Sequence, residues 1–161
     1  MSVRASGADS YILCELAGAT YALRSDDIEQ LEMVGPLTPV PNAPAFVDGV
    51  TSVRGRVIPA ISLRARFGFE RVPTDLRSRL IVVKHDGRSV CLIVDSAREF
   101  ATIAADSIQP PPDGLAEIST RYLRGMAHLG ERLVLLLDVG ELLRVSDTTA
   151  TDATALIPAF S

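Results

Sequence analysis

Phe46-Val47-Asp48-Gly49-Val50-Thr51-Ser52-Val53-Arg54-Gly55-Arg56-Val57-Ile58-Pro59-Ala60-Ile61-Ser62-Leu63 is the stretch from which the fold can be read. With Gly49 set against Gly125, it lies on residues 122–139 without a gap. Nine apolar positions coincide: 46, 47, 50, 53, 57, 58, 60, 61 and 63 fall on 122, 123, 126, 129, 133, 134, 136, 137 and 139. Only Gly49/Gly125 and Arg56/Arg132 are identical, so the repeat is one of pattern.

Working outward, the hairpins that precede this stretch repeat as well. Gly18 falls on Gly87, Leu23 on Leu92 and Asp26 on Asp95. Residues 11–16 and 20–23 flank Ala17-Gly18-Ala19, and residues 79–83 and 90–94 flank a loop containing Asp86-Gly87, a strong hairpin signal. Each half thus reads as a hairpin, a proline-containing connector (36–44; 110–112) and a second strand pair. Residues 57–63 and 133–139 are apolar runs of strand length, and Pro59 predicts an edge position or a bulge. Helical signals are short: a turn capped by Asp26-Asp27 through Glu29, one over 63–67, one over 140–144. Two small barrels in tandem follow, the first mainly 17–75, the second mainly 76–144. Residues 71–78 are the expected crossover, with exchange of strands across it left open. Residues 1–9 read as a flexible N-terminus. Residues 145–161, rich in Thr, Ala and Asp with Leu156, Ile157 and Phe160 at the tip, read as a tail that is either disordered or docked.

Composition narrows the function. Apolar residues make up 47% of the 161 and aromatics 5%, with no Trp, so Val, Leu, Ile and Ala must fill the core. A net charge of −4 argues against a nucleic-acid backbone as partner. The cations are 15 Arg and the single Lys84. That ratio fits protein partners, since Arg binds carboxylates bidentately, and fits codon bias equally well. Cys14 and Cys91 lie in separate apolar runs, as buried reduced thiols of a cytoplasmic protein do. The first ten residues hold no apolar signal core, and even the apolar stretch 133–137, as long as any, is far too short to span a bilayer.

A search for chemistry returns little. His85 and His128 have no second His or Cys at ligand spacing, so no metal is expected. Neither a Gly-x-Ser-x-Gly elbow nor a phosphate loop is present. Asp95 and Asp138 are conceivable as paired carboxylates, but at strand ends an Asp more often bonds nearby amides. No catalytic residue and no cofactor are expected; a small hydrolase is the minor alternative.

Residues 41–64, with Pro41, Pro44, Phe46, Gly49-Val50, Arg54-Gly55, Ile58-Pro59, Ile61 and Leu63-Arg64, resemble the signature of the CheW family. Ile108-Gln109-Pro110-Pro111-Pro112 is similar to that family's I-x-P-x-P, and residues 118–125 with Leu142-Leu143 fall where it expects them. The likeness runs over residues 10–144. It departs at Ser52, where the family usually has Asn, and at Ser62, where it usually has Asp. The resemblance implies an all-β fold of two partly intertwined five-stranded SH3-like barrels with a few short helices. It also implies a free-standing adaptor that couples chemoreceptor cytoplasmic tips to the regulatory domain of a CheA-type histidine kinase. The principal chemotaxis array and a divergent pathway such as surface motility both remain open. Position by position, it places receptor contact at Ile28, Gly49, Arg54 and Gly55, in the groove between barrels. Kinase docking is expected end to end through the first barrel, with Val34, Leu37, Phe67 and Phe69 as candidate apolar contacts.

Overall fold

The computed structural model describes residues 8–111 and 121–144, with only the backbone of Arg98. It holds ten strands: β1 (Ala8–Leu16), β2 (Ala19–Arg24), β3 (Ile28–Met33), β4 (Val47–Val53), β5 (Arg56–Ser62), β6 (Arg79–His85), β7 (Arg88–Val94), β8 (Ser96–Ala104), β9 (Leu123–Leu129) and β10 (Arg132–Leu137). Two one-turn helices, α1 (Leu63–Arg66) and α2 (Val139–Leu142), follow β5 and β10. Two 3-10 turns, Ser25–Asp27 and Ala105–Ser107, complete the described elements.

The strands form two five-stranded sheets, ordered β8-β1-β2-β10-β9 and β3-β6-β7-β5-β4. The two orders are one topology used twice, with β3, β4 and β5 standing where β8, β9 and β10 stand. Each sheet curls until its edges meet through the connector. Thr38 bridges Val50 of β4, and Gln109 bridges Met126 of β9. The sheets do not follow the boundary expected at residue 75/76. Hairpin β6–β7 pairs into the sheet of β3, β4 and β5, whereas β1–β2 pairs with β8, β9 and β10. Each barrel therefore takes its hairpin from the other half of the chain. The joins are parallel, Ala60 to Cys91 in one barrel and Val134 to Thr20 in the other, and parallel partners need a long crossover rather than a turn.

This exchange explains the unbroken apolar runs. On β6, Leu80 and Val82 face the inside of one barrel, while Ile81 and Val83 face the layer between the barrels. On β1, Tyr11 and Leu13 face the other interior, while Ile12, Cys14 and Leu16 face that same layer. Strands covered on both faces lose the alternation of a half-exposed sheet. The layer between the barrels contains Leu16, Leu23, Ile61, Leu63, Leu92 and Leu142, all fully buried, at about 1.5–3 kcal/mol for each side chain.

Four expectations differ in detail, the first being the turn at Asp26-Asp27, which spans Ser25–Asp27 without a side-chain cap and leaves Glu29 in β3. Ala8 and Asp9 are not part of a flexible end: they pair with Ala104 and Ile103 of β8. Pro59 is in an internal strand and not at an edge; it stands one residue from the register shift where Val47 pairs with Ile61 and Gly49 with Ala60, and pairing with β7 begins only at Ala60. The last helix starts at Val139, one residue early, because Asp138 caps it. The readings for residues 1–7, 112, 118–120 and 145–161 lie outside the described residues.

Candidate functional site

Three hairpins turn on pairs whose central residues both have positive φ: Ala17-Gly18 (52° and 86°), Arg54-Gly55 (50° and 83°) and Asp86-Gly87 (57° and 77°). That is what a type I′ turn demands. Asp tolerates the left-handed region; Arg does not, and left-handed backbone costs about 1–2 kcal/mol per non-glycine residue. The repeat counterpart of Arg54 is Gly130, at φ 63°, with no such cost. The Arg54 side chain is 71% exposed and its Nε donates to Glu32 Oε2 at 3.2 Å. An exposed pair of this kind contributes little. Nothing lies within 4 Å of where a Cβ on Gly55 would stand. The tip is thus an exposed cation held on strained backbone, for which barrel closure gives no reason.

Gly49 has a different explanation. It is buried, at φ 141°, and a Cβ there would stand 2.3 Å from the Thr38 carbonyl oxygen. The close approach that glycine permits is made by the chain's own connector. Thr38 and Val50 exchange two backbone hydrogen bonds at 2.8 Å, and the Thr51 hydroxyl donates to the Pro36 carbonyl at 3.0 Å. Gly125 stands under the second connector in the same way, with Ile108 Cγ2 at 2.7 Å and the Gln109 oxygen at 2.8 Å from its notional Cβ. Ile28 opens β3 half-buried, packed on the layer between the barrels.

A groove of about 460 Å³ opens where the two sheets meet, lined by Tyr21, Ala65, Arg66, Phe67, Gly68, Phe69, Tyr122, Leu123 and Leu135. Phe67 is its centre: its ring stacks on Tyr122 at 5.4 Å, tilts against Tyr21 at 5.6 Å and meets Phe69 edge-on at 6.4 Å. Phe69 is 40% exposed. The Arg66 guanidinium lies 4.3 Å over the Phe46 ring and 5.0 Å over Tyr122. It donates to the Leu142 carbonyl at 2.9 Å and to the Arg144 carbonyl, and burial lowers its pKa.

The four kinase-side candidates therefore separate. Phe67 and Phe69 line the groove, while Val34 and Leu37 pack half-buried against Val53, Ile58 and Leu80 of the first barrel's interior. Neither Ile28, Gly49, Arg54 nor Gly55 is among the groove's lining residues. Reading the residues one by one missed Arg66, Tyr21 and Tyr122. A short cationic helix reads as solvated, and only the tertiary fold sets two aromatic rings around that arginine.

The carboxylates weighed for acid/base chemistry are both committed. Asp95 takes a bidentate pair from Arg64, 2.9 Å to Nε and 2.7 Å to Nη2, and accepts the Ala17 amide at 3.0 Å. The Arg64 hydrogen bonds hold its carboxyl below the usual range. Asp138 caps α2, its Oδ1 accepting the Glu141 amide at 3.1 Å. Its repeat counterpart Ser62 does the same for α1, accepting from Ala65 at 3.1 Å, so the departure at that position keeps the cap. Ser52 is exposed on β4.

A polar cavity of about 410 Å³ places His85 beside Gly140 and Asp138, with Asp86, Arg88 and Glu141 around it; its lining among the described residues carries no hydroxyl or thiol. Burial pushes both cysteine thiols up to about 12, so neither is a thiolate at neutral pH. No group of three or more His, Cys, Asp or Glu able to hold a metal occurs among the described residues. No helix among them is long and apolar enough to cross a membrane.

Compared with known proteins, residues 10–147 match the family described as CheW-like domain. The chain is 29% identical over 145 residues to the chemotaxis protein CheW of Klebsiella aerogenes, covering 90% of this chain and 87% of that one. It is 34% identical over 116 residues to that of Helicobacter pylori, covering 71% and 70%. The crystal structure of the scaffolding protein TtCheW from Thermoanaerobacter tengcongensis is similar at a TM-score of 0.78 and 30% identity, covering 86% of this chain and 94% of that one. With two exchanged five-stranded barrels and a signature shared along nearly its whole length, the chain belongs to the CheW-like domain family.

Proposed function

We propose that the protein is a cytoplasmic, non-catalytic chemotaxis adaptor, which holds the tips of chemoreceptors to the regulatory domain of a CheA-type histidine kinase. One observation carries this beyond family membership: Arg54 occupies left-handed backbone at an exposed hairpin tip where the repeat uses glycine. Strain kept at an exposed charged residue supports a role outside folding. Arg54 and Gly55 are the receptor contacts in this reading, with Ile28 and Gly49 shaping the strands that present them. The aromatic groove takes the receptor's helical hairpin, because its apolar lining suits the apolar face of an amphipathic helix. Phe67 and Phe69 then serve the receptor side, and Val34 and Leu37 support the edge of the first barrel that the kinase meets.

Co-sedimentation with receptor-containing membranes and a CheA-type kinase tests the reading. Both partners are expected to carry the protein down, and Arg54→Ala is expected to lose receptor binding with stability changed by less than about 0.5 kcal/mol. Binding to neither partner would sink the proposal.

A further inference from the structure

We infer that Arg66 is a positioning residue: it clamps the end of α2 and the Tyr122 ring onto α1 and thereby sets the width of the groove. The inference rests on the adaptor reading, in which that groove takes the receptor.

Among the described residues Arg66 has four hydrogen-bonding or ring partners, none of them a carboxylate, with Glu141 acting on it only at longer range. They are the faces of Phe46 and Tyr122 and the carbonyls of Leu142 and Arg144. Three of the four come from the second half of the chain, so the side chain ties one half to the other at the groove's wall. The two carbonyls lie at and just beyond the C-terminus of α2, where a helix leaves acceptors without internal donors. A planar guanidinium can stack on two rings while its edge reaches both carbonyls; an ammonium cannot.

The repeat supplies the control. The residue matching Arg66 in the second half is Leu142, fully buried in the layer between the barrels. A leucine is therefore enough to make the seam at that position, and folding alone does not call for arginine. The arginine stands on the side where the groove opens, against the ring that stacks on Phe67. Neither α1 nor α2 exceeds four residues, too short to persist without tertiary partners, so a tie between their ends governs how the groove's walls stand.

Arg66→Leu and Arg66→Lys separate positioning from plain stability. Both variants are expected to fold. Arg66→Leu is expected to weaken receptor-tip binding about tenfold while kinase-domain affinity stays unchanged. Arg66→Lys, keeping charge but losing the planar fork, should recover only part of that loss. Without any partner, backbone amide spectra of Arg66→Leu should shift at residues 138–144 and Tyr122 and stay fixed at the Arg54 tip. Wild-type receptor affinity with an unmoved spectrum would overturn the inference, and so would an equal loss towards both partners, which marks general destabilisation. If Arg66→Leu does not fold, Arg66→Lys carries the same comparison. If the wild-type protein binds neither partner, the adaptor reading is the one that fails, and the spectra alone decide the role of Arg66.

Discussion

The turn that ends β4 and the turn that ends β9 sit at the same place in the two halves, yet one carries Arg54-Gly55 and the other Gly130-Glu131. The glycines under the connectors, the caps of the two helices and the arginines opening β5 and β10 are shared in position, though Gly49 alone of the two glycines takes a positive φ. Ser62 and Asp138 cap alike, and the amides of both donate back, to Phe46 at 2.9 Å and to its counterpart Tyr122 at 2.8 Å. What the halves share belongs to folding. What they do not share, the Arg54 tip, the Arg66 clamp and the Arg64–Asp95 pair, is where the search for function should go.

The comparison breaks most severely at the shared glycines. Gly49→Ala forces a Cβ into backbone at 2.3 Å and keeps a strained φ, and urea unfolding is expected to show a loss of about 3 kcal/mol or more. Gly125→Ala, whose φ lies outside the strained range and whose nearest neighbour is the movable Ile108 side chain, should lose less. Equal losses would show that the two connectors are equally tight.

Next comes Asp95→Asn, which removes a pair absent from the other half, where Gly140 stands at the place of Arg64. A loss of about 1–3 kcal/mol at neutral pH is expected. The pH dependence has a definite sign. Since Arg64 depresses the Asp95 pKa in the folded state, its stabilisation is complete above the ordinary carboxylate value near 3.9, and fades as pH falls through the lower folded value. Melting temperatures taken from pH 6 down to pH 2 should therefore fall less steeply in Asp95→Asn than in the wild type.

A smaller effect, of opposite sign, is expected at the tip. Arg54→Gly should stabilise the fold by about 1 kcal/mol, because glycine relieves left-handed backbone while only an exposed ion pair is lost. It should also abolish receptor binding, and a variant more stable yet unable to couple would separate folding from function in one measurement. The smallest effects belong to Arg56→Ala and Arg132→Ala. These largely exposed arginines pair with Glu29 at 3.2 Å and Glu99 at 2.9 Å, so the losses of melting temperature should be the smallest of the series, shrink with added salt and match in the two barrels.

The strands and hairpins were legible because their signals are local. Ala17-Gly18 and Asp86-Gly87 mark the tight turns, and the spacing of Gly49 and Gly125 exposes the repeat from residue types alone. The exchange of hairpins was implied by the family resemblance to intertwined barrels, but the residues alone did not say which hairpin goes where. Leu80 to Val83 reads as a strand buried on both faces, but nothing local says whether its neighbour is β3 or β8. That choice is made by the distant parallel joins, Ala60 to Cys91 and Val134 to Thr20. The groove was half legible: Phe67-Gly68-Phe69 stands out as an apolar patch, whereas Arg66 gains meaning only when Phe46 and Tyr122 close on it from different halves.

The exchanged hairpins also decide what happens to a nicked molecule. A cut within the exposed part of the crossover, residues 71–77, leaves a first fragment holding the β1–β2 hairpin of the second barrel and a second fragment holding the β6–β7 hairpin of the first. Neither piece retains a complete sheet, and each fills the gap in the other. Cleavage there yields an interlocked pair, held by the barrel in which each fragment is a guest, so loss of chain continuity and loss of structure become separate events. Proteolysis at this exposed linker is thus expected to break the chain without undoing the scaffold.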